Sequence, residues 1–123
     1  MLKELAALVR SGSVSPEELV QRSIDRIEAT RHLNAVTDMW AEDALAEARA
    51  HPRTGELAGL PVLVKDMVRI EGRRTTFGST LFADAPPDTF SDVIIERLRA
   101  AGAIIIGRAN TPEFGATAVT RSE

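Results

Sequence analysis

Lys65 and Asp66 close an apolar run, Leu60-Pro61-Val62-Leu63-Val64, in which four of the five residues are aliphatic. Such a run predicts a strand covered on both faces, with the two charged residues placed where it leaves the core. An amine held at the edge of an apolar environment is pushed towards its neutral form. A neutral lysine is a base near neutral pH. The plainer alternative is that Lys65 ends the strand and reaches solvent, as most lysines do.

Two further stretches suit the rim of a site. Arg74-Thr75-Thr76-Phe77-Gly78-Ser79 is small, polar and glycine-containing, although an ordinary turn has the same texture. Arg108-Ala109-Asn110 follows a second apolar run, Ala103-Ile104-Ile105-Ile106-Gly107. No other grouping promises chemistry. The chain has no cysteine, which removes disulfides, thiol nucleophiles and thiolate metal sites together. Two isolated histidines, His32 and His51, and scattered carboxylates show no metal-ligand spacing. No metal and no cofactor is expected.

The elements that must position these residues can be read in order. Residues 2–10 have a helical pattern with Leu2, Leu5, Leu8 and Val9 on one side, stopped by Ser11-Gly12. Ser15 suits an N-cap, Pro16 the first helical position, and Glu18 stands three after the serine. The helix that starts there carries Leu19, Val20, Ile24 and Ile27 on one face and runs to about Ala29. Residues 34–38 read as a short extended connection, followed by a helix from about Ala41 to Ala50. Trp40, the single tryptophan, is expected to pack between helices rather than bind a ligand.

From Leu60 the texture becomes strand and helix in alternation. Residues 84–88, with Pro86-Pro87, predict a surface loop. Ser91 is expected to cap a helix running to about Ala101, with Val93, Ile94, Ile95 and Leu98 as its apolar side. Gly102 suits the left-handed position after it. Residues 103–106 then form a second doubly covered strand. Strand, helix, strand implies a parallel pair with a right-handed crossover. Lys65 and Arg108 both leave their strands at the C-terminal edge, where open α/β sheets bind ligands. Thr111 is expected to cap a short helical turn.

Composition sets the outer limits. With 123 residues, 44% hydrophobic and 27% charged, the chain has the size and balance of one globular domain. A net charge of −3 with interspersed signs and no basic run argues against a nucleic-acid surface. The opening Met1-Leu2-Lys3-Glu4-Leu5 lacks a signal-peptide pattern. No run approaches the roughly 20 apolar residues of a membrane span. A cytoplasmic protein without a nucleic-acid or membrane partner is the expectation.

The order of motifs resembles the amidase signature family. The matching pieces are residues 60–66, Thr75-Thr76-Phe77-Gly78-Ser79, Arg97 to Ala103, and Gly107-Arg108-Ala109-Asn110-Thr111-Pro112-Glu113-Phe114-Gly115. Ser15-Pro16-Glu17-Glu18-Leu19 and Leu33-Asn34-Ala35-Val36 follow the family's opening. The resemblance covers essentially the whole chain. It implies the N-terminal portion of an α/β/α sandwich: a helical layer over 1–58, then a β-α-β segment over 59–123.

The resemblance also implies a mechanism. Family members hydrolyse or transfer amides with a Ser–Ser–Lys triad, in which Lys65 matches the general base. The base deprotonates a serine nucleophile through a bridging serine, and the acyl-enzyme is resolved by water or another amine. Backbone N–H groups of a glycine- and serine-rich loop stabilise the oxyanion. Both serines lie in a stretch that follows Asn-Thr-Pro-Glu-Phe-Gly in the family, beyond the last residue here. None of Ser11, Ser13, Ser15, Ser23, Ser79, Ser91 and Ser122 has that setting. One departure is local: Gly107-Arg108-Ala109-Asn110 stands where the family usually has Gly-Lys-Thr-Asn.

These implications yield three functional readings. The first is an amidase acting on a small-molecule amide, present as a fragment that is inactive alone. The second is an A-type subunit of a transamidase acting on misacylated tRNA; Thr111-Pro112-Glu113, where such subunits usually have Met-Asp-Glu, favours the first over it. The third is a non-catalytic remnant or interaction module. An uncovered sheet in the isolated chain is expected to leave it marginally stable or self-associating.

Overall fold

The structure is a computed structural model and describes residues 1–120. Its elements in chain order are α1 (Leu2–Arg10), α2 (Pro16–Ala29), β1 (Val36–Met39), α3 (Ala41–Ala50), β2 (Pro61–Lys65), α4 (Val93–Ala100) and β3 (Ile104–Ala109). Short 3-10 turns occupy Arg31–Leu33, Thr80–Phe82 and Glu113–Gly115. The start of α2 is built as its sequence specifies. Ser15 is extended and its hydroxyl accepts the Glu18 N–H at 3.0 Å, while Pro16 fills the first turn, where no N–H is needed.

The described strands form one sheet in the order β1-β3-β2. β2 and β3 run parallel, as the strand–helix–strand pattern implies. The extended connection at 34–38 is itself a strand, β1, antiparallel to β3 on its other side. β3 is therefore the central strand, and Ile104 to Arg108 are all buried. Ile104 and Ile106 pack against Val20 and Ile24 of α2 and Ala44 and Ala48 of α3. Ile105 faces the other way, with Val64, Ile70 and Ile95. Each such Ile contributes about 1.5–3 kcal/mol relative to exposure. Helices on both faces of a small sheet make this an α/β portion of an α/β/α sandwich.

β2 departs from the doubly covered strand expected of it. Val64 is buried, but Pro61 and Val62 are half-buried and Leu63 is 36% exposed. The cause is topological: β2 is an edge strand of the described sheet, and the side that carries Leu63 opens on a groove of about 740 Å3 beside α1 and α2.

Three helix details also differ. In α1 the buried positions are Ala6 and Val9, with Leu2 and Leu8 exposed. In α4 Ile95 is buried and Leu98 partly so, whereas Val93 and Ile94 are 60% and 54% exposed. Ser91 does not cap α4, whose N-cap is Asp92. The Ser91 hydroxyl accepts the Glu71 N–H at 2.9 Å and the Asp92 carboxylate accepts the Arg69 N–H at 2.7 Å. Both side chains tie the helix start to the segment after β2 instead of to the helix.

Gly102 ends α4 at φ +93°, and a Cβ there would lie 2.3 Å from the Thr54 carbonyl oxygen. Only glycine supplies both the left-handed backbone and that approach. Trp40 bridges the two faces of the sheet, touching both apolar clusters, and its indole N–H donates to the Ile105 carbonyl at 2.6 Å. Among the described residues no helix is long and apolar enough to cross a membrane.

Candidate functional site: the Lys65 turn and its buried cluster

β2 and β3 end together. Lys65 pairs with Ala109, and the Asp66 N–H donates to the Ala109 carbonyl at 2.9 Å. The chain then turns sharply, because the Met67 and Val68 N–H groups both return to the Lys65 carbonyl, at 2.7 and 3.0 Å. Lys65 is exposed at this edge and its amine has no hydrogen-bond or ion-pair partner among the described residues.

Asp66 points the opposite way, inward, and is 3% exposed. One carboxylate oxygen accepts the Thr76 N–H at 3.0 Å and the other accepts the Thr76 hydroxyl. A buried carboxylate needs such donors, since an unpaired one costs several kcal/mol. The nearest cation is Arg108, whose Nε lies 3.6 Å from Asp66.

Arg108 sits inside β3 and is 1% exposed. The register explains its direction. Val62 pairs with Ile105 and Leu63 with Gly107, so Ile106 has no counterpart on β2, and Val64 comes opposite Arg108. Such an extra residue re-aims the side chains that follow it. The guanidinium donates to the Val68 carbonyl at 2.7 Å and to the Thr75 hydroxyl at 2.9 Å, while Nε lacks a hydrogen bond. Burial holds the Arg108 pKa below the usual arginine range, and the charges of Asp66, Asp88 and Asp38 offset part of that.

Asp88 completes the cluster: Asp84, Pro86 and Pro87 are exposed, as the surface-loop reading expects, but the loop's last residue turns inward. Its side chain is 6% exposed, accepts the Thr75 hydroxyl, and pairs with Arg69 at 2.6 Å. Arg69 in turn places its guanidinium over the rings of Phe77 and Phe90 at 5.3 and 5.5 Å.

The loop 75–79 is docked rather than loose. Phe77 and Gly78 have φ of 54° and 68°, and a Cβ on Gly78 would lie 2.5 Å from the Thr111 carbonyl oxygen. The Phe114 N–H donates to the Phe77 carbonyl at 2.8 Å, and the Ser79 hydroxyl donates to Glu113 at 2.6 Å. The expected cap at Thr111 is absent: its hydroxyl bonds the Pro112 carbonyl, and the turn begins after Pro112. Between this loop and the start of β1 lies a cleft of about 430 Å3, whose lining mixes Asn34, Asp66, Thr76 and Asn110 with Val36 and Ala83. Among the described residues no three His, Cys, Asp or Glu side chains converge as metal ligands would.

The described serines are turn, cap and helix residues: Ser15 caps α2, Ser11 and Ser13 bond each other, Ser79 is buried on Glu113, and Ser91 holds Glu71. Ser122 lies outside the described residues. Lys65 thus stands exposed on a hydrogen-bonded turn at a sheet edge, while the loop 75–79 closes on its neighbour Asp66.

The family model described as Amidase matches residues 18–123 of this sequence. The chain belongs to the amidase family. Among curated members it is 36% identical to the A-type subunit of the glutamyl-tRNA(Gln) amidotransferase of Deinococcus radiodurans, over 97% of this chain and 26% of that protein. It is 35% identical to an acylamidase of Rhodococcus erythropolis, over 91% of this chain and 25% of that protein. A solved chain from a vestigial protein complex, described for the evolutionary origins of an s-triazine catabolic enzyme, superposes with a TM-score of 0.85. It shares 36% identity, over 93% of this chain and 27% of that one. The chain therefore spans about a quarter of the length of these amidase-family relatives.

The sequence marks Asp66, Thr75 and Arg108 within stretches that suit the rim of a site, but not Asp88, and it does not bring the four together as one buried cluster. One signal was available for Arg108: a charge at an interior position of a doubly covered strand has to be buried and paired. Asp88, beside Pro86-Pro87, carried no such signal, because nothing local says that its loop folds back onto β3.

Proposed function

We propose that this chain carries the lysine of a Ser–Ser–Lys amide hydrolysis, with Lys65 as general base and a small-molecule carboxylic amide as substrate. Both serines would come from outside these residues. The observation that carries the reading is the placement of Lys65: an exposed, unpartnered amine at the C-terminal end of a parallel strand, on a turn fixed by two N–H bonds to its own carbonyl. A base must reach its proton, and an exposed amine on a hydrogen-bonded turn is reachable; the bridging serine would hold it in place.

On this reading the 123-residue chain has a base and no nucleophile, so it turns over no amide. Incubation with an aryl amide should release no amine above buffer; release abolished by Lys65→Ala would overturn that part. In a chain extended to the relatives' length, Lys65→Ala should lower kcat by about 10²–10⁴-fold. An unchanged kcat would reject the base assignment.

The match to the A-type subunit of an amidotransferase supports a second reading, in which the acyl group is passed to ammonia. The sequence Thr111-Pro112-Glu113 favours the hydrolase, and its Glu113 is engaged by Ser79. Hydrolysis of simple amides by the extended chain without partner subunits separates the two. Self-association of the isolated chain through the uncovered side of β2 belongs to the same proposal, since Leu63 there is open to solvent.

A further inference from the structure

We propose that Arg108 is a positioning residue for Lys65, a buried cation that locks the Lys65–Val68 turn and the Thr75–Thr76 segment into one rigid unit. This rests on the reading of Lys65 as the base. The guanidinium meets the turn on both sides of its bend. It donates to the Val68 carbonyl at 2.7 Å, three residues beyond Lys65, and lies 3.6 Å from the carboxylate of Asp66, the residue directly after Lys65. Its third contact, the Thr75 hydroxyl at 2.9 Å, belongs to the loop whose next residue closes on Asp66. Thr75 passes the link on to Asp88 and so to Arg69, which lies one residue past Val68.

A cation buried to 1% exposure is a costly way to hold a turn if shape is all that is needed. A hydrophobic residue would fill the space beside Val64 and Ile70, but it would leave the Val68 carbonyl and the Asp66 carboxylate without their donor and counter-charge. The charge is what lets one side chain hold a carbonyl, a hydroxyl and a carboxylate together. Among the described residues the Lys65 side chain makes no hydrogen bond or ion pair, so the turn backbone that Arg108 holds sets where that side chain starts from.

The test uses the chain as it stands and needs no turnover, so its failure and the failure of the amidase reading are separable. Amide hydrogen exchange at Met67 and Val68, whose N–H groups close the turn, is compared with that at Ile104 and Ile106 of β3. Arg108→Met should raise exchange at Met67 and Val68 by about tenfold or more while leaving Ile104 and Ile106 within about twofold. Arg108→Lys, whose ammonium keeps the charge and three donors, should restore protection. Lys3 and Lys65 are the two lysines of the chain, so lysine-selective labelling gives Lys65 with Lys3 as internal reference. The Lys65 signal alone should move in Arg108→Met and return in Arg108→Lys, which adds one further lysine signal.

Thr75→Val, with Thr75→Ser as its rescue, repeats the comparison should Arg108→Met not fold. Unchanged exchange at Met67 and Val68 in a folded variant would overturn the proposal. So would equal loss of protection across β3, or loss of fold in both variants, since the cluster would then support the core at large rather than the turn.

Discussion

Thr76 closes on Asp66 twice, through its N–H at 3.0 Å to one carboxylate oxygen and through its hydroxyl to the other. This clasp spans ten residues and joins the end of β2 to the loop beside it. Bonds to a charged acceptor are worth about 1.5–3 kcal/mol. Thr76→Val should therefore lower unfolding stability by about that much in urea titration. Asp66→Ala also strips the counter-charge from a buried cation and should cost about 3–5 kcal/mol. A larger loss for Thr76→Val than for Asp66→Ala would contradict this ranking.

Gly78→Ala should destabilise the loop that carries Ser79. The position is left-handed, which costs an L-residue about 1–2 kcal/mol, and the added methyl meets the Thr111 carbonyl oxygen at 2.5 Å. Thermal unfolding followed by circular dichroism should show a lower midpoint. A midpoint equal to that of the parent would mean that the loop is not held against the segment after β3.

Trp40 offers an optical probe of the centre of the fold. Its indole bonds the Ile105 carbonyl at 2.6 Å and lies under the guanidinium of Arg73 at 4.4 Å. Its emission should shift to the red on unfolding, at the same denaturant concentration as the loss of helix. Trp40→Phe keeps an aromatic ring but orphans the Ile105 carbonyl, with an expected loss of about 1–3 kcal/mol. Two separate transitions would show that the helices and the sheet unfold independently.

Leu63→Lys tests the open side of β2. A charge on an edge strand opposes association, so sedimentation velocity across a range of concentrations should show the parent shifting to heavier species and the variant staying lighter. A parent that remains monomeric at every concentration would reject self-association through this face.

Local chemistry makes most of the elements legible in the amino-acid order. The Ser15-Pro16-Glu18 start of α2, the Gly102 end of α4 and the isoleucine run of β3 are decided by capping, backbone freedom and hydrophobic burial, which act within a few residues. Lys65 is legible as a candidate because a charge ends an apolar run. The exposed sides of β2 and α4 are not, since an aliphatic residue reads the same whether or not something covers it. Leu63 and Ile94 differ from Val64 and Ile95 only in what the rest of the fold places opposite them.

The amino-acid order is enough to place a strand at 61–64, a lysine directly after it and the family to which the chain belongs, because each depends on neighbours in sequence. The cluster beneath that lysine depends on meetings between residues far apart: Asp66 with Arg108, Thr75 with Asp88, and Arg108 with Val68 across 40 positions. Those meetings follow from the parallel pairing of β2 with β3 and from the one unpaired residue, Ile106, that brings Arg108 opposite Val64. A register is a property of two strands together. Only the folded chain could show that the arginine of β3 serves the turn of β2.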